Sequence, residues 1–370
     1  MVVCDGKTLT EIPKSLFQNM RNLTIKNAFL GELPTNAFSA YPLLERLQIS
    51  HSEVKRIHEF AFAGLPRLQF LYILNNPLST LEPYSFSALN NVKEVLIRGN
   101  DITSISKFTF FNSKNIRGLD LRANPVTRIH SNAFSGLNNV QFLHVPEGVR
   151  DIEPDAFNNL TRVHFMDIRL WNANLSEFKG VASYTFRGLR YASSIRIYSS
   201  NLGVIRQGAF EEIETVETLQ IRNSHIHRIQ KGAFEGMHHV GSLDMVKNDI
   251  DFVDRSAFFD LPSENVHQFQ LMENNFDCSC SNYWLFANYD TLDAGVLQRN
   301  YCSSPHNLLK MPLKAISAVY VKNCTDHMSD GENDEVSANG APLTLTFSFL
   351  LALCLPLFLV LCNFDFVQLS

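Results

Sequence analysis

Apolar residues flank a single variable position again and again along this chain. The triplets are Leu23-Thr24-Ile25, Leu47-Gln48-Ile49, Leu71-Tyr72-Ile73, Val95-Leu96-Ile97, Leu119-Asp120-Leu121 and Leu143-His144-Val145, then Met166-Asp167-Ile168, Ile195-Arg196-Ile197, Leu219-Gln220-Ile221, Leu243-Asp244-Met245 and Phe269-Gln270-Leu271. Alternation over so short a run predicts a strand with one buried face. A further apolar residue stands three positions earlier in many copies, as at Leu44, Leu68, Val92, Ile116, Val140, Val216 and Val240. Five positions after the first apolar member comes Asn or Ser in most copies: Ser52, Asn76, Asn100, Asn124, Ser200, Ser224, Asn248 and Asn274. Phenylalanines keep the same register at Phe38, Phe62, Phe86, Phe110, Phe134, Phe157, Phe186, Phe210, Phe234 and Phe258, 24 residues apart except for one gap of 23 and one of 29. A fixed period of this size predicts a stack of small units, each needing a neighbour on both sides to bury its apolar face.

The repeated L-x-x-L-x-L-x-x-N pattern resembles the leucine-rich repeat family from about Leu9 to Asn275. The downstream half of each unit carries Ala-Phe in seven of the ten phenylalanine-bearing copies and resembles the 24-residue subtype of extracellular proteins. The resemblance implies an α/β fold: a leucine-rich repeat solenoid, a curved horseshoe. A parallel β-sheet would line its concave face, with short helical, 3-10 or irregular segments on the convex side and cysteine-rich caps at the ends. An amphipathic helical array fits less well, because the period of the core segments is two. The phenylalanines are expected as a buried column near the convex wall. The Asn side chains are expected to bond backbone groups in the bend after each strand, where a ladder partner is missing.

The ends read differently from the middle. Cys278-Ser279-Cys280, Trp284-Leu285, Cys302 with Pro305, and Cys324 resemble the cysteine-rich C-terminal flank of extracellular leucine-rich repeats. Sequence alone allows three connectivities; the resemblance implies Cys278 with Cys302 and Cys280 with Cys324. A zinc site is the rival use of these four, although Cys-x-Cys is short for a structural zinc knuckle. Val2-Val3-Cys4-Asp5 followed by Leu9-Thr10-Glu11-Ile12-Pro13 resembles the last part of an N-terminal cap. Such caps carry more cysteines than Cys4 alone, so a signal peptide and upstream cysteines are expected outside this sequence; a free Cys4 in an intracellular protein is the alternative. The expected organisation is a partial N-terminal cap over 1–20, about eleven repeats over 21–275, a cysteine-rich cap over 276–325, a polar spacer over 326–342 and a hydrophobic tail over 343–370.

Residues 343–362 carry no charge over twenty positions, enough to span a bilayer, and no Lys or Arg follows them. A polar spacer before such a tail resembles a glycosylphosphatidylinositol attachment signal, with Ser329-Asp330-Gly331 or Asn339-Gly340-Ala341 as the small-residue site. A transmembrane helix is the alternative. Four N-x-S/T triplets occur, at Asn22, Asn159, Asn174 and Asn323. Asn159 and Asn174 fall in predicted loops and are the expected glycan sites; Asn22 lies on a predicted strand and Asn323 abuts a cap cysteine. The expected location is the extracellular face of the plasma membrane.

A net charge of −5 gives no field for nucleic acid, so no nucleic-acid partner is expected. There is no Gly-rich phosphate loop, no H-E-x-x-H and no G-x-S-x-G, so neither catalysis nor a cofactor is expected. His225 and His227 point one way from an extended segment, with His238 and His239 in the same unit; a metal site is one reading and solvated surface the other.

Strand register selects the side chains of the concave face. Arg98, Asp120, Arg122, His144, Asp167, Arg169, Arg196, Tyr198 and Arg222 are expected there, joined by exposed Phe70, Phe142 and Phe165. Arg and Tyr are the residues enriched at interface hot spots. Two readings stand: a self-satisfying Arg–Asp ladder across neighbouring strands, or a face that holds a protein partner. The 29-residue unit inserts Trp171-Asn172-Ala173-Asn174, where Trp171 is either an anchor for a partner or a plug over the core. The expected role is cell-surface recognition or adhesion, with an extracellular or cell-surface protein as partner, homophilic contact included. A matrix-organising protein and an innate-immune type receptor without its own signalling domain are the alternatives.

Overall fold

Each apolar-x-apolar triplet forms a strand because two inward side chains find the same pair in the unit above and the unit below. In the computed structural model twelve strands pair in chain order into one parallel sheet. They are β1 (Val2–Asp5), β2 (Asn22–Lys26), β3 (Arg46–Ser50), β4 (Phe70–Leu74), β5 (Glu94–Arg98) and β6 (Gly118–Asp120), then β7 (Val140–His144), β8 (Val163–Ile168), β9 (Tyr191–Tyr198), β10 (Thr215–Arg222), β11 (His239–Val246) and β12 (Val266–Met272). Eleven of these are the predicted triplets, and β1 adds the strand of the N-terminal segment. The structure describes residues 1–14, 16–170, 180–255, 257–258, 266–287, 298–316 and Cys324. Residues 1–326 form one compact unit.

Register is strict. Leu47 lies opposite Leu23 and Leu71, and Ile195 lies opposite Met166 and Leu219, so the inward residues stack in columns. Nearly all of these side chains have no contact with solvent. Behind the strands the ten phenylalanines form one continuous column. Successive ring centroids lie between 5.0 Å, for Phe186 and Phe210, and 6.3 Å, for Phe234 and Phe258. Most neighbouring rings are parallel, as for Phe134 on Phe157 at 3° and Phe157 on Phe186 at 5°. That is the separation at which offset aromatic pairs attract beyond their buried area.

The bend after each strand has a shared chemistry. The residue that leaves the strand has positive φ in unit after unit: Asn75 at 52°, Gly99 at 66°, Ala123 at 57°, Asn223 at 50° and Lys247 at 59°. The next residue is the repeat's Asn or Ser. Asn100 accepts the Asn76 N–H at 2.9 Å and donates to the Ile73 and Arg98 carbonyls at 3.0 and 3.2 Å. Asn124 does the same for Asn100 and Ile97. Ser200, Ser224, Asn248 and Asn274 continue the ladder, and Asn300 closes it by accepting the Asn274 N–H at 2.9 Å. Each link satisfies backbone groups that water cannot reach.

The outer side carries turns and short parallel strands. Thr80–Leu81, Ser104–Ile105, Arg128–Ile129 and Asp151–Ile152 make one small sheet, and Val204–Ile205, His225–Ile229, Asp249–Val253, Asn275–Asp277 and Tyr301–Ser304 make another. A short α-helix, Tyr283–Ala287, lies in the cap. There the Trp284 indole donates to the Val253 carbonyl at 2.9 Å, and Trp284, Leu285 and Phe276 are buried over the last repeats. The two disulfides are Cys278–Cys302 and Cys280–Cys324, with Cα separations of 5.5 and 5.0 Å. This is the pairing implied by the resemblance to cysteine-rich flanks. Cys4 is a free thiol, half-buried on β1, and burial raises its pKa.

Candidate protein-binding face

Each long strand exposes alternate residues to the concave side, and parallel register turns these into rows. One row holds Arg98 at the end of β5, Arg122 two residues beyond β6, Arg169 one residue beyond β8, then Tyr198 and Arg222 at the ends of β9 and β10. The middle row holds Asp120, His144, Asp167 and Arg196, opposite one another in sequence order. A third row begins the strands, and there Phe142 and Phe165 face each other directly.

Every arginine of the first two rows has an acidic or aromatic partner. Arg122 donates Nε and Nη2 to the two oxygens of Asp120 at 3.0 and 2.7 Å, and its backbone N–H reaches Asp120 Oδ1 at 3.0 Å. Arg98 Nε approaches the same carboxylate at 3.7 Å. Arg196 forks onto Asp167 at 2.7 and 2.8 Å, and His144 Nδ1 lies 3.7 Å from Asp167. Arg169 donates to Glu147 at 2.5 Å and lays its guanidinium 4.4 Å over the Tyr198 ring. Arg222 and Gln220 both donate to Asp244 at 3.2 Å. The Arg–Asp ladder is therefore formed.

The pairs are layered in depth. Arg122 is 48% exposed over an Asp120 side chain at 9%, Arg196 is 46% exposed over Asp167 at 16%, and Arg222 is 41% exposed over Asp244 at 9%. Carboxylates form the floor and guanidinium groups form the surface. Burial works to raise the Asp120 pKa, but the hydrogen bonds from the Arg122 side chain and backbone outweigh it and hold the carboxyl below its usual range. The Arg122 guanidinium is correspondingly held in its charged form.

Phe142 and Phe165 stack at 5.4 Å and 14°, and they remain 47% and 41% exposed. Gly118 lies opposite Phe142 and Ser194 opposite Phe165, so small residues border the ring pair on both sides. Phe70 differs, because Arg46 covers its ring at 4.3 Å. Beside the aromatic pair is a hollow of about 300 Å³ lined by Arg122, His144, Val145, Glu147, Asp167, Arg169 and Tyr198. A second hollow of about 350 Å³ lies among Arg196, Ile197, Tyr198, Gln220, Arg222 and Asn223. Tyr198 is the wall between them.

Sequence reasoning placed the arginines, Asp120, Asp167, His144 and Tyr198 on one face, and the structure brings them together there. It passed over Glu147, whose only signal is its position in the bend after β7, and Asp244 as a partner for Arg222. Trp171 and Asn174 lie outside the described residues, as do the spacer and the hydrophobic tail. Asn159 is exposed in a turn with φ of 58°. His225 and His227 both face Asp251, at 3.4 and 3.0 Å. Among the described residues, no cluster of three or more His, Cys, Asp or Glu is arranged to hold a metal, and no helix is long and apolar enough to cross a membrane.

Comparison with known proteins agrees with this architecture. The family description "BspA type Leucine rich repeat region", in six copies, matches residues 5–117 and 55–175, and the description "Leucine rich repeat" matches 190–250 and 214–275. No curated protein matches the chain by sequence. Among solved structures, the chain is similar to one in the octameric complex of Latrophilin 3, Unc5D and FLRT2, at 19% identity over 87% of this chain and 98% of the other, with a TM-score of 0.50. Human trophoblast glycoprotein matches at 17% identity over 84% and 91%, TM-score 0.31. The Drosophila Toll–Spatzle complex matches at 16% over 85% and 53%, TM-score 0.37. The repeated strand, the Asn ladder, the phenylalanine column and the matched family descriptions agree, and the chain belongs to the leucine-rich repeat family.

Proposed function

We propose that this protein is a non-enzymatic recognition or adhesion module that holds a protein partner on its concave face, between β6 and β10. The observation that carries this reading is the Phe142–Phe165 pair. Its rings stand open to solvent beside a ladder of Arg, Asp and Glu side chains that are paired with one another. Two exposed rings that bury no core are not accounted for by packing, and contiguous apolar groups left open mark interaction surfaces. Tyr198 and the arginines beside the rings are of the types that dominate interface energetics.

The same reading places the protein at the cell surface. The two cap disulfides support an oxidising compartment. Glycans at Asn159 and Asn174 and anchoring through residues 343–362 belong to this proposal. Release from cells by phosphatidylinositol-specific phospholipase C is the expected outcome for a lipid link; retention points to a spanning helix.

The docking reading is tested by displaying the full chain on cells and screening it against an array of extracellular proteins. Replacing Phe142 and Phe165 by Ser, or Arg169 and Tyr198 by Ala, is expected to weaken the partner's binding by about 2 kcal/mol or more in total. Replacing outer-surface charges such as Glu211 and Lys231 is expected to leave it unchanged. A partner that binds both sets of variants equally would remove the concave face from consideration.

A further inference from the structure

We infer that the group docking at Tyr198, against Arg169, Arg196 and Arg222, is a carboxylate of an acidic protein segment. The inference rests on the docking reading above and goes further by fixing the partner's chemistry.

The argument is the layering of the ion pairs. Counted as charges, the ladder is nearly balanced, with Arg98, Arg122, Arg169, Arg196 and Arg222 against Asp120, Glu147, Asp167 and Asp244. Counted by depth it is not. Asp120, Asp167 and Asp244 are covered, while the arginines above them are nearly half exposed. An approaching partner therefore meets guanidinium groups before it meets any of these three carboxylates. Glu147 is the exception, exposed at the hollow's margin and already bonded to Arg169.

The arginines also keep spare donors. A guanidinium has five N–H groups. Arg196 commits Nε and Nη2 to Asp167, so its Nη1 group makes no bond in the ladder. Arg222 commits Nη2 to Asp244, and Arg169 commits Nη1 to Glu147. These side chains are held in place by their floor carboxylates and by the Tyr198 ring, so little rotamer freedom is lost when a further oxygen arrives. Charge-assisted hydrogen bonds from such fixed forks are among the strongest a surface can offer.

A sulfated glycan would also satisfy guanidinium groups. The aromatic pair decides against it, because Phe142 and Phe165 ask for an apolar group beside the anion. The chain's net charge of −5 likewise gives no broad attraction for a polyanion. Phe165 and Arg169 lie four residues apart on one strand line across the face, which is about 13 Å in extended backbone. The matching segment carries an apolar or aromatic residue and an Asp or Glu at about that separation.

The test is selection of a random 12-residue peptide library on the full chain. Peptides pairing Asp or Glu with an aromatic or large aliphatic residue are expected to be enriched. Changing the selected acid to its amide is expected to weaken binding at least about tenfold, and rising salt to weaken the acidic form more than the amide. The double variant Asp167→Asn with Arg196→Gln removes both members of one pair, so no buried charge is stranded. It is expected to lose most of that preference, whereas Phe142→Ser is expected to weaken acidic and amide peptides alike. Enriched peptides that need Phe142 and Tyr198 but show no acid preference would overturn the carboxylate inference and leave the docking reading standing. Binders indifferent to every concave substitution, or no binder at all, would overturn both. Heparin oligosaccharides binding through Arg196 while no acidic peptide does would assign the hollow to a sulfated glycan instead.

Discussion

Single residues in this protein do two kinds of work that look alike in sequence. Asn100 is buried and bonds three backbone groups, one on its own unit and two on the unit before it. Asn100→Ala would leave the Ile73 carbonyl and the Asn76 N–H without partners, and a loss of about 1–3 kcal/mol is expected in urea unfolding. Asn100→Ser should cost less, because Ser52, Ser200 and Ser224 already fill this position elsewhere with one acceptor and one donor. Asp120 is the second kind. Its folded pKa is lowered, so the stability it contributes is present above the unfolded value, near 3.9, and is lost as pH falls through the folded one. Asp120→Asn is expected to lower stability at neutral pH and to flatten its decline in acid, which thermal melts between about pH 2 and pH 6 would read. An unchanged acid slope would mean that other carboxylates, such as the similarly lowered Glu153, dominate that limb.

At the scale of the element, the phenylalanines separate packing from recognition. Phe157 is fully buried between Phe134 and Phe186. Phe157→Ala is expected to cost about 3–5 kcal/mol, and Phe157→Leu distinctly less. Phe142→Ser exposes no core, so its stability should stay within about 0.5 kcal/mol while binding falls. Equal destabilisation by both would show that the exposed rings are structural. The period and the inward triplets were legible because burial repeats with the chain, and a column of identical residues leaves a column in the sequence. Apart from the extended segment at His225 and His227, the outer sheets were not legible. Strands of two residues, such as Ser104–Ile105, are too short to show alternation. Asn300 escaped because it stands 26 residues after Asn274, inside the cap, where no apolar triplet marks the unit. The concave row was readable from register, but its layering was not. Register says which way Asp167 points; how deeply it sits depends on Arg196 folding over it from the next strand.

At the scale of the molecule, a stack of units is only as firm as its ends. Contacts run mainly between neighbouring turns, so stability is close to a sum of unit and interface terms, and loss at one end spreads from there. The C-terminal end is sealed by Trp284, Leu285 and Phe276 over the last repeats, and it is tied by bridges spanning 24 and 44 residues. Opening either bridge removes a constraint on a short segment with little core of its own, and a cost of about 2–5 kcal/mol is expected. The repeat architecture says where that cost appears. In Cys302→Ser, amide hydrogen exchange is expected to quicken first in β12 and β11 and in Asn275–Asp277, whose strand pairs with Tyr301–Ser304. Protection in β3, β4 and β5 should persist, because those strands are several interfaces away. Exchange that quickened evenly from β2 to β12 would show that the solenoid opens as one cooperative body, with the cap acting on the whole stack rather than on its last turns.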